Sequence, residues 1–284
     1  TIGANYKLFS NHGYTTLVVS RNHLNNKSVK YIDNTDNPAD KILDYNSAEI
    51  ENKFRVEKTI YKEMWKMNYG MGYEHAVYTN STFRKIEFNG VVVTNKFNSE
   101  LPLNKYFLFA QAGKKLFNER LILSAGIRAD ICDFSGEMLN PLDQISPRVS
   151  LSYSLTEKIF MNFNTGRYFQ LPSYTILGYR DSLNVLINKN NNIKYIQCDH
   201  ILLGLEYNPT GLSKITIEGF YKKYNNYPFL LKDSISLANL GGDFGVIGNE
   251  PAIPTSEGQS YGVEIFAQQK LSSSYYGIVS YTFF

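Results

Sequence analysis

The chain has 284 residues, a formal net charge of +3 and only 19% charged residues, and no basic run that would suit a nucleic-acid partner. Its length allows one large domain or two small ones, and its 14% aromatic content, with 22 Tyr and 18 Phe, favours strands. No stretch approaches the roughly 18 apolar residues of a membrane helix, which excludes a helical membrane protein but not a membrane barrel, whose alternating strands have a soluble-looking mean hydropathy.

In chain order, "TIGANYKLF" already reads as a strand, and a polar turn at Ser10 to Gly13 leads into a second. No signal peptide is visible ahead of it. A long connection is expected from Asp33 to Ser47. It contains "NPADKILDYNSAEIENK", the one segment with some helical spacing, which reads more economically as a loop leading into a strand. A short turn near Glu63 and a long connection from about Asn80 to Asn104 follow, then a short turn at Asn118 to Arg120. In "LILSAGIRAD", Leu121, Leu123, Ala125, Ile127 and Ala129 share one face, opposed by Ser124, Arg128 and Asp130.

A long segment from Ser135 to Gln144 precedes "ISPRVSLSYSLTEKIFMNFNTGRYFQLP". Here Val149, Leu151, Tyr153, Ile159, Met161 and Phe163 alternate with Arg148, Ser150, Ser152, Asn162 and Asn164 around the turn Leu155 to Lys158. After Ser173 to Lys194, the pattern returns with Ile201, Leu203, Leu205 and Tyr207 opposed by His200, Gly204 and Glu206. It continues past the Pro209 to Ser213 turn with Ile215 and Ile217 against Thr216 and Glu218. After the long segment Lys232 to Gln259, Val263, Ile265 and Ala267 oppose Glu264 and Gln268, and a turn at Ser272 to Ser274 leads to "YYGIVSYTFF". Leu202, Ile122 and Phe266 break the rule on the polar face.

The count is about twelve strands in six hairpins, many longer than the roughly six residues usual in globular sheets. Short and long connections alternate, so the short turns fall at one end and the long loops at the other. An outer-membrane barrel has this asymmetry, whereas a soluble sandwich has no reason for it. Aromatics gather near both ends: Tyr168, Phe169, Tyr221, Tyr224, Tyr227 and Phe229 toward the long loops, and Tyr153, Phe160, Tyr207, Tyr275 and Tyr276 toward the short turns. The expected fold class is therefore all-β, an antiparallel transmembrane β-barrel with odd-numbered apolar residues from Val149 to Ala267 facing lipid.

Enzyme signatures are missing from the sequence. His12, His23, His75 and His200 form no metal-spaced pair, and Asp199 and His200, as neighbours on a strand, point to opposite faces. No Gly-x-Ser-x-Gly elbow occurs, and the Gly-rich "LGGDFGVIGNEP" lacks the flanking strand and helix of a phosphate loop. Cys132 and Cys198 are read as unpaired structural cysteines. No catalytic residue, metal or cofactor is expected. The inward charges Arg128, Asp130, Arg148, Glu206, Glu218 and Glu264 are read as pairing across the lumen or with a plug, and otherwise as guiding a solute.

These residues also carry a family resemblance. Ser146, Pro147 and Arg148, the alternating hairpin, and the Gly-Arg-Tyr-x-Gln-x-Pro exit at Gly166, Arg167, Tyr168, Gln170 and Pro172 resemble the mid-barrel of TonB-dependent outer-membrane receptors, of the Bacteroidetes type. "LLGLEYNPTGLSKITIEGFYKKYNNYPF" and "SYGVEIFAQQKLSSSYYGIVSYTFF" resemble later hairpins of the same barrels. The resemblance implies a barrel of about 22 strands around an N-terminal plug. Residues 1–284 would then be part of the barrel domain, with no plug domain or TonB box in the sequence.

The implied function is TonB-energised uptake of a scarce, bulky nutrient (siderophore, corrinoid or glycan) across the outer membrane of a Gram-negative bacterium. The implied partners are TonB through the plug, membrane lipid and a small-molecule or oligosaccharide ligand. A passive porin-like or structural barrel is the alternative, and a soluble carbohydrate-binding sandwich, with strand faces inverted, the remote one. The expected ligand site lies in the long loops, where a rigid scaffold holds variable segments. Tyr174, Tyr179 and Arg180 come from one loop and Asp243 and Phe244 from another, rings for stacking and Arg180 for an anionic group.

Overall fold

The computed structural model describes residues 1–284 except 89–90, 182, 241–247 and 273, and also leaves out the side chains of 86–88. The chain alternates tight turns with strands because residues of period two leave one continuous apolar face that only a sheet can align. The strands are β1 (Ile2–Ser10), β2 (Gly13–Tyr31), β3 (Lys41–Lys62), β4 (Trp65–Phe88), β5 (Val91–Leu116), β6 (Leu121–Cys132) and β7 (Ile145–Ser154). They continue with β8 (Ile159–Gln170), β9 (Ile196–Thr210), β10 (Ser213–Leu230), the two-residue β11 (Ile235–Ser236), β12 (Ala252–Gln269) and β13 (Gly277–Phe283).

All pair antiparallel in sequence order in one sheet, with β11 hooked onto the end of β10. Among the described residues β1 and β13 do not pair with each other, so the sheet is an open part of a barrel wall. Among the described residues there is one sheet, and no second sheet covers the apolar face as it would in a sandwich.

The register aligns that face. Leu121, Tyr153, Met161, Leu205, Ile217, Ile265 and Tyr281 are direct cross-strand neighbours from β6 to β13. Leu17, Val56, Met71, Leu108 and Ala129 form the matching row from β2 to β6. Leu203, Leu205 and Ile217 are 54%, 52% and 51% exposed. In hydrocarbon each such side chain is stabilised by roughly 1.5–3 kcal/mol relative to water. The opposite face is mixed, as expected: Ser152, Asn162, Gly204, Glu218 and Glu264 are in register on it, alongside the apolar Ile122, Leu202 and Phe266.

Aromatics divide less simply than the sequence suggests. Tyr207 faces outward near the short turns and Tyr221 near the long loops, each more than 40% exposed. By strand parity Phe160, Tyr168 and Tyr224 point into the lumen, so they do not belong to a lipid girdle. Tyr73 and Tyr106, 5.1 Å apart on neighbouring strands, take that outward role in the first half.

One expected loop is absent. The segment from Asn80 to Asn104 is strand almost throughout, because β4 and β5 pair continuously from Trp65 with Lys114 to Phe88 with Val91. The connection before β3 likewise shortens, to a 3-10 turn at Pro38–Asp40 before the strand begins at Lys41. A bilayer needs only about 9–11 residues per strand. With 22, 24 and 26 residues, β3, β4 and β5 extend well beyond it.

Candidate functional site at the barrel mouth

The loops after β6, β8 and β10 fold inward against the inner face of the tall β4–β5 hairpin. Short helices organise them: α1 (Gly136–Leu139), α2 (Tyr174–Leu177) and α3 (Ile187–Asn190). Tyr174, Ile176 and Leu177 of α2 pack with Ala76, Tyr78, Leu101 and Leu103 of the wall, with Phe134 and Met138 from the loop after β6, and with Leu230 and Ala252 at the ends of β10 and β12. This apolar core lies inside the mouth, beyond the lipid-facing belt. Close approach is required: a Cβ at Gly178 would come within 2.5 Å of the Tyr78 ring.

Asn188 is the polar centre of this core and is fully buried. Its Nδ2 donates to the Ile176 carbonyl at 2.7 Å and the Glu250 carbonyl at 3.0 Å, while Oδ1 accepts from the Ala252 N–H at 2.7 Å. One amide thus joins the loop after β8 to the loop after β10. Its donors and acceptor are used, which is the condition for a buried polar group to be tolerated.

Tyr174 anchors the same loop to a charged cluster on the wall. Its hydroxyl donates to Glu51 Oε1 at 2.8 Å and accepts from Lys105 Nζ at 2.7 Å, and its ring stacks on Tyr78 with centroids 5.9 Å apart. Lys105 also pairs with Glu74, and Lys53 bridges Glu51 at 2.6 Å and Glu74 at 3.5 Å. Burial, and then the bond to the Glu51 carboxylate, holds the Tyr174 phenol far above its ordinary pKa, so it remains a neutral donor. Tyr179 is pushed up mainly by burial, and its ring meets Phe97 edge-on at 5.5 Å.

Tyr174 and Tyr179 are therefore each only 9% exposed and packed against the wall. Arg180 reaches the open side. It donates to Ser99 Oγ at 3.3 Å, to the Asn184 carbonyl at 2.9 Å and to the Glu100 carbonyl at 3.4 Å. It lines a cavity of about 870 Å³ with Asn184, Lys27, Asn80 and Ser99. Asp243 and Phe244 lie outside the described residues.

Of the inward charges singled out in the sequence, Arg128 pairs with Asp130 at 2.6 Å and Glu206 with Lys214 at 2.7 Å. Glu51, Glu74, Lys105 and Asn188 went unnoticed in the sequence, since their pairings join strands and loops far apart along the chain. Both cysteines are free. Among the described residues no cluster of metal-ligating side chains occurs.

Comparison with known proteins accords with this geometry. The family described as TonB dependent receptor-like, beta-barrel, matches residues 1–284. No curated protein matches the chain. Among solved structures, the copper transporter OprC superposes with a TM-score of 0.68 at 16% identity, over 99% of this chain and 45% of that one. A variant of the ferric enterobactin receptor PfeA from Pseudomonas aeruginosa gives 0.65 at 15% identity, over 99% and 42%. The FpvAI–pyocin S2 complex gives 0.67 at 13% identity, over 99% and 40%. The chain spans less than half the length of each of these structures. It belongs to the TonB-dependent receptor-like β-barrel family and is a protein of the Gram-negative outer membrane.

Proposed function

We propose that the parent of this chain is a receptor that imports a scarce, bulky nutrient with energy delivered through TonB. The observation that carries this reading is a wall that is apolar outside and mixed polar and apolar inside, with long loops folded over its inner face, among the described residues, at one end. In this reading residues 1–284 are part of the barrel domain, and a plug domain with a TonB box precedes Thr1 in the parent.

The cargo is a siderophore or other metal chelate, a corrinoid or a glycan. Ferric enterobactin, named for one of the solved relatives, is a metal chelate, and copper, named for another, is a metal ion. The motif around Arg148 and Arg167 supports the Bacteroidetes type of receptor. At the mouth, Arg180 meets an anionic group of the cargo, Tyr174 and Tyr179 act by seating the loop that carries Arg180, and Asp243 and Phe244 are further cargo contacts on the sequence reading alone.

The test is uptake by cells carrying the parent gene, with and without TonB, together with the gene sequence upstream of Thr1. Uptake that requires TonB and an upstream plug are expected. Uptake unaffected by TonB loss makes the protein a passive porin-like barrel. On the purified receptor, Arg180→Ala is expected to weaken cargo binding. Unchanged affinity in both Arg180→Ala and Tyr179→Ala, with the barrel folded, removes this loop from the site.

A further inference from the structure

We propose that a cavity in the lumenal wall, deeper than the mouth, holds the oxyanion of a ring-bearing solute on its way through the barrel. This inference rests on the receptor reading and adds a chemical class for the cargo. The cavity measures about 420 Å³ and is formed by side chains that converge from five strands. Arg55 comes from β3, Phe107 and Phe109 from β5, Arg128 from β6, Arg148 from β7 and Tyr168 from β8.

Its charge does not balance internally. Arg128 is neutralised by Asp130, with Nε and Nη2 donating at 2.8 and 2.6 Å. Arg55 stands 3.6 Å from Glu57. Among the described residues Arg148 has no carboxylate within 4 Å. Its Nε is buried without a hydrogen-bond partner. Within this chain one guanidinium is thus left over, in a place where an unpaired charge is costly unless a ligand or a group of the proposed plug meets it.

Geometry favours an oxyanion on a ring. The Arg148 guanidinium lies 4.2 Å from the Tyr168 ring and that of Arg128 lies 4.1 Å from Phe107. The Arg128 fork is taken by Asp130, whereas the Arg148 guanidinium, held over the Tyr168 ring, is free for two-point contact with carboxylate, phosphate or sulfonate oxygens. Phe107 is itself fixed over Gly72, where a Cβ would sit 2.4 Å from the ring. Phe107 and Phe109 stack at 6.4 Å and supply an apolar floor. The volume lies within the roughly 300–1,000 Å³ of small-molecule sites and exceeds what one protein carboxylate would fill.

The test uses the intact purified receptor in detergent and pyrenetetrasulfonate, a flat fluorescent anion, read by anisotropy. Wild type is expected to bind the dye, with inorganic phosphate competing. Arg148→Gln should weaken binding roughly 10- to 100-fold, the loss of a charged hydrogen-bond pair. Arg148→Lys, which keeps the charge without the fork, should fall between. Arg55→Gln, on a different strand, gives a second weakened variant should Arg148→Gln fail to fold. Arg167→Gln removes a cation from the outward side of β8, where Arg167 pairs with Asp199, and should leave binding unchanged.

Wild-type protein that does not bind the dye overturns the proposal, as when a carboxylate from elsewhere in the parent already fills the cavity. Equal losses in Arg148→Gln and Arg167→Gln overturn it as non-specific charge binding. The assay needs no TonB, so loss of energised uptake with dye binding intact defeats the receptor reading and leaves this site standing.

Discussion

The two halves of the sheet solve the same problem differently. From β3 to β5 the chain above the bilayer stays extended, in strands of 22 to 26 residues. From β6 to β8 the strands stop after 10 to 12 residues, and the chain goes into loops instead. The tall half supplies a wall, and the short half supplies the material that packs against it. A mouth formed this way needs both, since the loops bury Tyr174, Ile176 and Leu177 only by leaning on Ala76, Tyr78 and Leu103. Height on one side and loop length on the other are a matched pair.

The comparison is tested most severely by a charge on the outward face. Leu203→Arg, amid the apolar belt, should destabilise the barrel by about 2–4 kcal/mol, measured by urea unfolding of the intact receptor in lipid vesicles. Ser81→Arg, exposed on the tall hairpin above the belt, should cost about 0–1 kcal/mol. Equal costs would mean that the tall strands lie in hydrocarbon along their whole length. Next in size is Tyr174→Phe, which keeps the ring stack but removes the bonds to Glu51 and Lys105. Loss of hydrogen bonds to charged groups should loosen the 171–195 loop by about 1.5–3 kcal/mol, seen as faster amide exchange there while the β-strands stay protected.

A smaller and pH-dependent effect is expected at Glu250, beside the Asn188 centre. Burial, and then Asp233, raises its pKa above the ordinary glutamate value of 4.5. The folded loop therefore favours the protonated form. Docking is at full strength below the ordinary glutamate value and is weakened by deprotonation as pH rises from that value through the raised one. Limited proteolysis of the 231–251 loop should quicken over that interval, and Glu250→Gln should flatten the response. The smallest change is Arg167→Ala, which breaks a half-exposed pair with Asp199 at 2.7 Å and should cost about 0.2–1 kcal/mol. A larger loss would show that this rim is buried in the assembled receptor.

The halves also differ in how plainly the sequence reveals them. From Leu121 onward, lipid on one side and polar lumen on the other impose an alternation that reads directly from residues such as Leu203 against Gly204. In the tall hairpin both faces above the belt meet water or loops. Residues such as Asn80, Ser81, Asn98 and Ser99 then carry no alternation and resemble a loop.

At the mouth, Arg180 was legible as a charge in a long loop. The burial of Tyr174 and Tyr179 was not, because it depends on a wall 69 or more residues away in sequence. The leftover charge of Arg148 was equally hidden, since only the fold reveals that Asp130 is taken by Arg128.

The single amide of Asn188 has a consequence for how such a mouth can change over generations. Because it bonds carbonyls and an N–H belonging to two separate loops, neither can be lengthened or rewritten at those points without disturbing the other. New cargo preferences should therefore arise first in residues such as Arg180 and Asn184, which lie outside that bond set. Transplanting the loop after β8 into a related barrel should succeed only when the loop after β10 travels with it.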